Sequence, residues 1–179
     1  TSLPSADLSL CTSLKEINKY AFKNCTVLSS LKFPEWLQTI DYQAFLSCPL
    51  GKDSAAGLGE LVIPASVTSV GEEAFYDCDY LAKVTFIDAS TESSISFGDR
   101  AFMNCDRLST AVLADHRVKN IGTKMFNSCC SLSSVTWPSG LQSIGFAAFE
   151  GDTSLPSADL SLCTSLKEIK EYAFKNCTV

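Results

Sequence analysis

"LVIPASVTSVGEEAFYDC", residues 61–78, folds two kinds of apolar spacing into one short stretch. Leu61 and Ile63 lie two apart, so a short strand points both inward while Val62 points out. Pro64 lacks a backbone donor and ends that strand. Val67 and Val70 supply a second inward pair after the chain turns. Gly71 is expected to permit the next bend, and Ala74-Phe75 to plug it, with Cys78 close behind.

The plug recurs along the whole chain. "YAFKNC" begins at 20, "QAFLSC" at 43, "EAFYDC" at 73, "RAFMNC" at 100, "KMFNSC" at 124, "AAFEGD" at 147 and "YAFKNC" at 172. The steps between their final positions are 23, 30, 27, 24, 23 and 25 residues, and periods of this length mean stacked coils. The frame holds while its contents change. Leu58, Leu61, Ile63, Val67, Val70, Phe75 and Leu81 fill it once, and Leu132, Val135, Trp137, Leu141, Ile144, Phe149 and Leu155 fill it again, with Gly145 in the place of Gly71. A lone coil of about 25 residues buries too few side chains to offset its own ordering entropy, so each coil must draw its core from its neighbours. The expected fold is a repeat solenoid, mostly β, with parallel short strands and tight turns, a single domain over 1–179 of about six to seven coils.

A longer repeat lies over the short one. Residues 1–27 and 153–179 match at 25 of 27 positions, differing only at Asn18/Lys170 and Lys19/Glu171, with an offset of 152 residues. Exposed residues such as Lys15, Glu16 and Lys23 recur along with the apolar ones, which marks duplication rather than shared folding constraint. The chain reads as one 152-residue superunit plus an overlap, and a window on a longer tandem array is the expectation.

With 46% hydrophobic and 19% charged residues the 179-residue chain has ample material for a core. A net charge of -6 with acids and bases interspersed argues against a nucleic-acid partner or an anionic membrane surface. No apolar run approaches the roughly 18 residues that cross a bilayer, and no secretory leader is legible, which is uninformative because the chain starts inside a repeat.

The segment 61–78 resembles the BspA-like class of leucine-rich repeats, and the resemblance extends over essentially all 179 residues. Met125 for Ala, Asp152 for Cys, and the irregular first strand "ADLSLC" depart from the pattern. The resemblance implies a right-handed leucine-rich-repeat coil on secreted or surface-displayed microbial proteins, associated with adhesion. It implies an extracellular or cell-surface location and a protein or surface glycan as partner. End-to-end self-association of superunits into a filament or stalk is the alternative.

Nine cysteines invite a disulfide or metal reading. Six of them, Cys25, Cys48, Cys78, Cys105, Cys129 and Cys177, hold one position of successive coils, where stacked Cβ atoms run parallel and bridge geometry is poor. Free thiols are expected. Cys11 and Cys163 are counterparts about 29 Å apart, and Cys129 and Cys130 should face opposite ways. No C-x-x-C pair or second histidine offers a zinc set, so neither metal nor cofactor is expected.

The single histidine, His116 in "LADHRVKN", reads as an exposed loop residue, and no nucleophile motif accompanies it. Glu72, Glu73, Asp77 and Asp79 read as a solvated rim. Enzyme activity is therefore not expected. What varies is the outward face of the main sheet: Ser30, Lys32, Glu60, Val62, Lys83, Thr85, Thr110, Val112, Ser134, Thr136 and Asp159. These are small or polar, whereas protein-binding hot spots favour Trp, Tyr and Arg, so Trp36 in "FPEWLQ" is the better exposed aromatic. Insertions at 51–57 and 87–96 break the rhythm and can carry binding. Asn24 and Asn176 stand in "NCT", a glycosylation sequon, but Ser47, Asp77, Asn104 and Ser128 at the same spot equally suggest a polar turn residue.

Overall fold

The computed structural model describes residues 3–53, 59–89 and 93–177. Leu58 of the repeat frame, the centres of both insertions, and Thr178 of the second sequon lie outside the described residues. The chain winds into a parallel β-solenoid of about six turns, and no helix occurs among the described residues.

Two columns of strands climb it. The main column holds β1 (Ser5–Asp7), β3 (Ser30–Lys32), β5 (Glu60–Ile63), β7 (Lys83–Phe86), β9 (Thr110–Val112) and β11 (Ser134–Thr136). The second holds β2 (Glu16–Ile17), β4 (Thr39–Ile40), β6 (Ser69–Val70), β8 (Ser96–Phe97), β10 (Asn120–Ile121), β12 (Ser143–Ile144) and β13 (Glu168–Ile169). Register places like on like: Leu61, Val84, Ala111 and Val135 stack in one inward row, and Ile17, Ile40, Val70 and Phe97 in another. Neither column is continuous. The main one divides between β3 and β5, the second between β8 and β10.

The predicted plugs form the spine. Phe22, Phe45, Phe75, Phe102, Phe126, Phe149 and Phe174 stack ring on ring, centroids 5.0–5.6 Å apart and planes within 15° of parallel. Beside them runs a thiol ladder. The Sγ–H of Cys48, Cys78, Cys105, Cys129 and Cys177 donates to the carbonyl of the preceding coil's phenylalanine at 3.0–3.3 Å. Several of these carbonyls already accept a backbone N–H of their own coil, Cys25 N–H at Phe22 O, Cys48 N–H at Phe45 O and Asp152 N–H at Phe149 O, so the small thiol donor fills the second lone pair. All nine cysteines are free thiols; Cys129 is buried and Cys130 exposed, as alternation requires.

Two turn expectations need correction. Gly71 and Gly145 have ordinary negative φ, so they are not the bend residues. They are glycines because coils pack there backbone to backbone: a Cβ on Gly71 would sit 2.6 Å from Asp41 C, and one on Gly145 2.7 Å from Gly122 C. The bend is made by left-handed residues instead, two per coil. One set is Asn24, Ser47, Asp77, Asn104, Ser128 and Asn176, with Gly151 completing it. The other set, Tyr20, Gln43, Glu73, Arg100, Lys124, Ala147 and Tyr172, carries no turn-forming side chain in common. Backbone bonds to the next coil, such as Tyr20 N–H to Tyr42 O at 3.0 Å and Gln43 N–H to Glu72 O at 3.0 Å, hold these residues in a conformation they would not choose alone.

Candidate functional surface

The outward row of the main column stands where alternation puts it. Ser30, Lys32, Glu60, Val62, Ser134 and Thr136 are exposed, and Lys83, Thr85, Thr110 and Val112 are half-buried by their neighbours. Cross-strand pairs tie the row together: Lys32 to Asp7 at 3.4 Å, Lys83 to Glu60 at 3.1 Å, and the Thr85 hydroxyl donating to Glu60 at 2.7 Å. Asp159 departs from expectation. It is exposed, but 157–159 form no strand, and its carboxylate accepts the Ser161 N–H instead. Its counterpart Asp7 lies in β1, which pairs with β3, whereas residues 157–159 make no ladder with β11 of the preceding coil.

Trp36 is half-exposed, with the Lys15 ammonium 5.5 Å from its ring centroid. It borders a cavity of about 780 Å³ in the gap between β3 and β5, floored by Leu31, Leu50, Leu61 and Leu81. Asn24 and Asn176 are exposed, and both are left-handed (φ 57° and 61°), so the turn accounts for their residue type.

The turn edge carries a polar ladder. Lys23 Nζ donates to Gln43 at 2.6 Å, Gln43 Nε2 to Glu73, and Arg100 to Glu72 at 3.0 Å and Glu73 at 3.2 Å, linking four coils. Further round, desolvation and mutual repulsion with Asp106 hold the Asp77 and Asp79 carboxyls above their usual range.

Around His116 the structure shows what the residues alone did not. Asp115 and Arg117 are fully buried and paired, Arg117 Nη2 to Asp115 Oδ2 at 2.6 Å, while Nη1 donates to Val67 O two coils back. His116 Nδ1 meets Asp88 Oδ1 at 2.6 Å, and this hydrogen bond holds the Asp88 carboxyl below its usual range. Asp88, Asp115 and His116 bring donor atoms within 4.8 Å of one another. A cation there would have to share Asp115 with a buried guanidinium, so the arrangement works as an ion-pair clasp between coils.

Six copies of the BspA type leucine-rich repeat region match the chain, over residues 2–56 and 53–179. The chain belongs to the BspA-type leucine-rich repeat family. No curated protein matches it. Among solved structures, a leucine-rich repeat protein from Eubacterium ventriosum aligns with 22% identity and a TM-score of 0.82, covering 100% of this chain and 44% of that one. One from Bacteroides ovatus gives 24% and 0.70, covering 98% and 47%, and the pneumococcal vaccine antigen PcpA gives 20% and 0.51, covering 98% and 49%. The chain thus spans about half the length of these solved structures.

Proposed function

We propose that this chain is a non-enzymatic protein-interaction scaffold, acting outside the cell or on its surface as an adhesive module. The carrying observation is the rigid presentation of an outward sheet face beside an open, Trp36-bordered cavity. The stacked phenylalanines and thiol ladder fix that face in register, so a partner meets it preorganised. The chain's one imidazole is engaged by the Asp88 carboxylate, which supports a structural rather than catalytic use. An extracellular setting draws support from the family and from the description of one structural neighbour as a vaccine antigen.

The test is binding of the purified chain to immobilised extracellular matrix proteins and a glycan panel, with Trp36→Ala and Thr85→Glu on the outward side and Lys124→Ala on the turn edge. Saturable binding weakened at least tenfold by the first two and unchanged by the third is expected; equal response to all three would overturn the reading. End-to-end assembly into a filament is the second reading, favoured by the near-identity of residues 1–27 and 153–179. Sedimentation and electron microscopy without any ligand would show fibres.

A further inference from the structure

Coils of the main column join by a fixed step. The residue before each strand donates to the matching carbonyl of the coil before: Ser29 to Pro4, Ala82 to Gly59, Ser109 to Ala82 and Ser133 to Ser109, all at 2.9–3.0 Å. In the third coil the expected donor is Gly59 and the expected acceptor Ser29 O. Gly51 N–H takes that carbonyl instead, at 2.7 Å. Gly51 is left-handed (φ 91°), and a Cβ on it would sit 2.6 Å from Tyr80 O and 2.9 Å from Gly59 Cα. It is therefore wedged into the ladder between Ser29 and Gly59, and among the described strands β3 and β5 are the neighbouring pair of the column that no ladder joins.

Beyond the wedge two strand edges face each other without a ladder. Ser30 N–H donates to Pro4 O and Leu8 N–H to Lys32 O, so residues 30 and 32 serve β1, and Leu31 and Phe33 turn their backbone groups to the gap. On the other side Lys83 N–H and Ile87 N–H donate to Gly59 O and Ile63 O. The odd residues of β5 thus serve β7, and Glu60 and Val62 face the gap. The 780 Å³ cavity occupies the space between these edges, apolar at its floor and lipped by Lys32 and Glu60.

We propose that this slot takes one extended segment of a partner protein, added as a strand between β3 and β5. The inference rests on the protein-binding reading above and specifies the partner's backbone conformation. Two facing rows of strand donors and acceptors are met together only by another extended backbone, which is the chemistry of strand addition. The occupant joins the two-stranded and four-stranded sheets into one. Its side chains alternate: apolar toward Leu50, Leu61 and Leu81, polar between Lys32 and Glu60. Cα atoms of β3 and β5 approach within 8 Å, against about 9.6 Å for two strand spacings, so entry widens the slot by at least about 1.6 Å.

The probe is an acetylated, amidated hexapeptide of sequence Ala-Lys-Val-Thr-Phe-Ile, that of residues 82–87, which already pairs with the opposite edge of β5. Titration is read by Trp36 fluorescence and by hydrogen exchange. Saturable binding with slowed exchange at Leu31, Phe33, Glu60 and Val62 is expected. N-methylation at alternate peptide nitrogens should weaken it at least tenfold. Val62→Pro, which removes a donor facing the slot and spares those bonded to β7, should do the same with little change in Tm. If that variant does not fold, the N-methylated peptide on the unaltered chain decides. No binding, binding indifferent to N-methylation, or protection elsewhere overturns the inference. If matrix binding persists and the peptide does not compete with it, the scaffold reading stands and the slot falls.

Discussion

Residues 1–27 and 153–179 are nearly one sequence placed in two settings, and their burial is complementary. Within residues 1–179 the first copy packs on the coil that follows it and the second on the coil that precedes it. Leu3 is 44% exposed and its twin Leu155 3%; Ile17 is 4% exposed and its twin Ile169 49%. Cys11 and Ala21 are exposed where Cys163 and Ala173 are buried. Each coil therefore has two distinct faces, one that needs the coil before and one that needs the coil after. Hydrogen bonding is equally polar. Phe22 N–H donates forward to Ala44 O and Phe149 N–H to Ala173 O, so the turn column presents carbonyls at the first coil and N–H groups at the last. The same residues make strand β1 at one place and no strand at the other. Stability resides in the junctions.

The most forceful way to break this comparison is to remove one plug from the middle and one from the end. Phe102→Ala deletes a ring stacked on both sides and should cost about 3–5 kcal/mol, read as a fall in urea midpoint. Phe174→Ala removes a half-buried ring stacked on one side only and should cost less than half as much; equal losses would mean that burial is not supplied by neighbours. The twins sharpen it next: Ile17→Ala should cost about 2–4 kcal/mol and Ile169→Ala under about 1.

Asp152 offers a smaller effect with a defined pH sense. It stands where the thiol ladder calls for cysteine, with Oδ1 accepting the Cys129 N–H at 2.8 Å and the buried Oδ2 unpartnered. Burial pushes its carboxyl up to about 9, so the folded chain keeps a proton that the unfolded chain releases. That contribution is whole below about pH 4, the ordinary range of an aspartate, and is lost as pH rises through 9. Asp152→Cys should raise stability at pH 8 by about 1–3 kcal/mol and flatten the slope, checked by thermal melts across pH. The smallest change leaves stability alone: iodoacetamide should label exposed Cys11 and Cys130 rapidly and spare Cys163 and Cys48, the latter thiol pushed up to about 12 by burial. Equal labelling of Cys11 and Cys163 would contradict the two-faced coil.

The repeat frame was legible because burial repeats with the coil. Leu61, Ile63, Val67, Val70 and Phe75 are inward as their spacing requires, and the cysteine row was identified by position alone. The left-handed row through Tyr20, Gln43 and Arg100 was not, since long-range backbone bonds impose it on side chains with no turn preference. Nor was the buried Asp115–Arg117 pair, because charged residues two apart read as surface until a neighbouring coil covers them.

Of the candidate surface, the alternation rule located the outward row, with Asp159 off the sheet, and Trp36 proved exposed. The open slot was invisible, because "GKDSAAG" declares extra length and not where the length goes.

The amino-acid order by itself determined the coil: its inward positions, its plug and the need for company, all local matters of spacing and side-chain chemistry. Only the tertiary structure decided which glycine enters the ladder, which strands remain unjoined and which of two near-identical segments is covered. Those outcomes depend on what the adjacent coil presents, and no single repeat contains its neighbour.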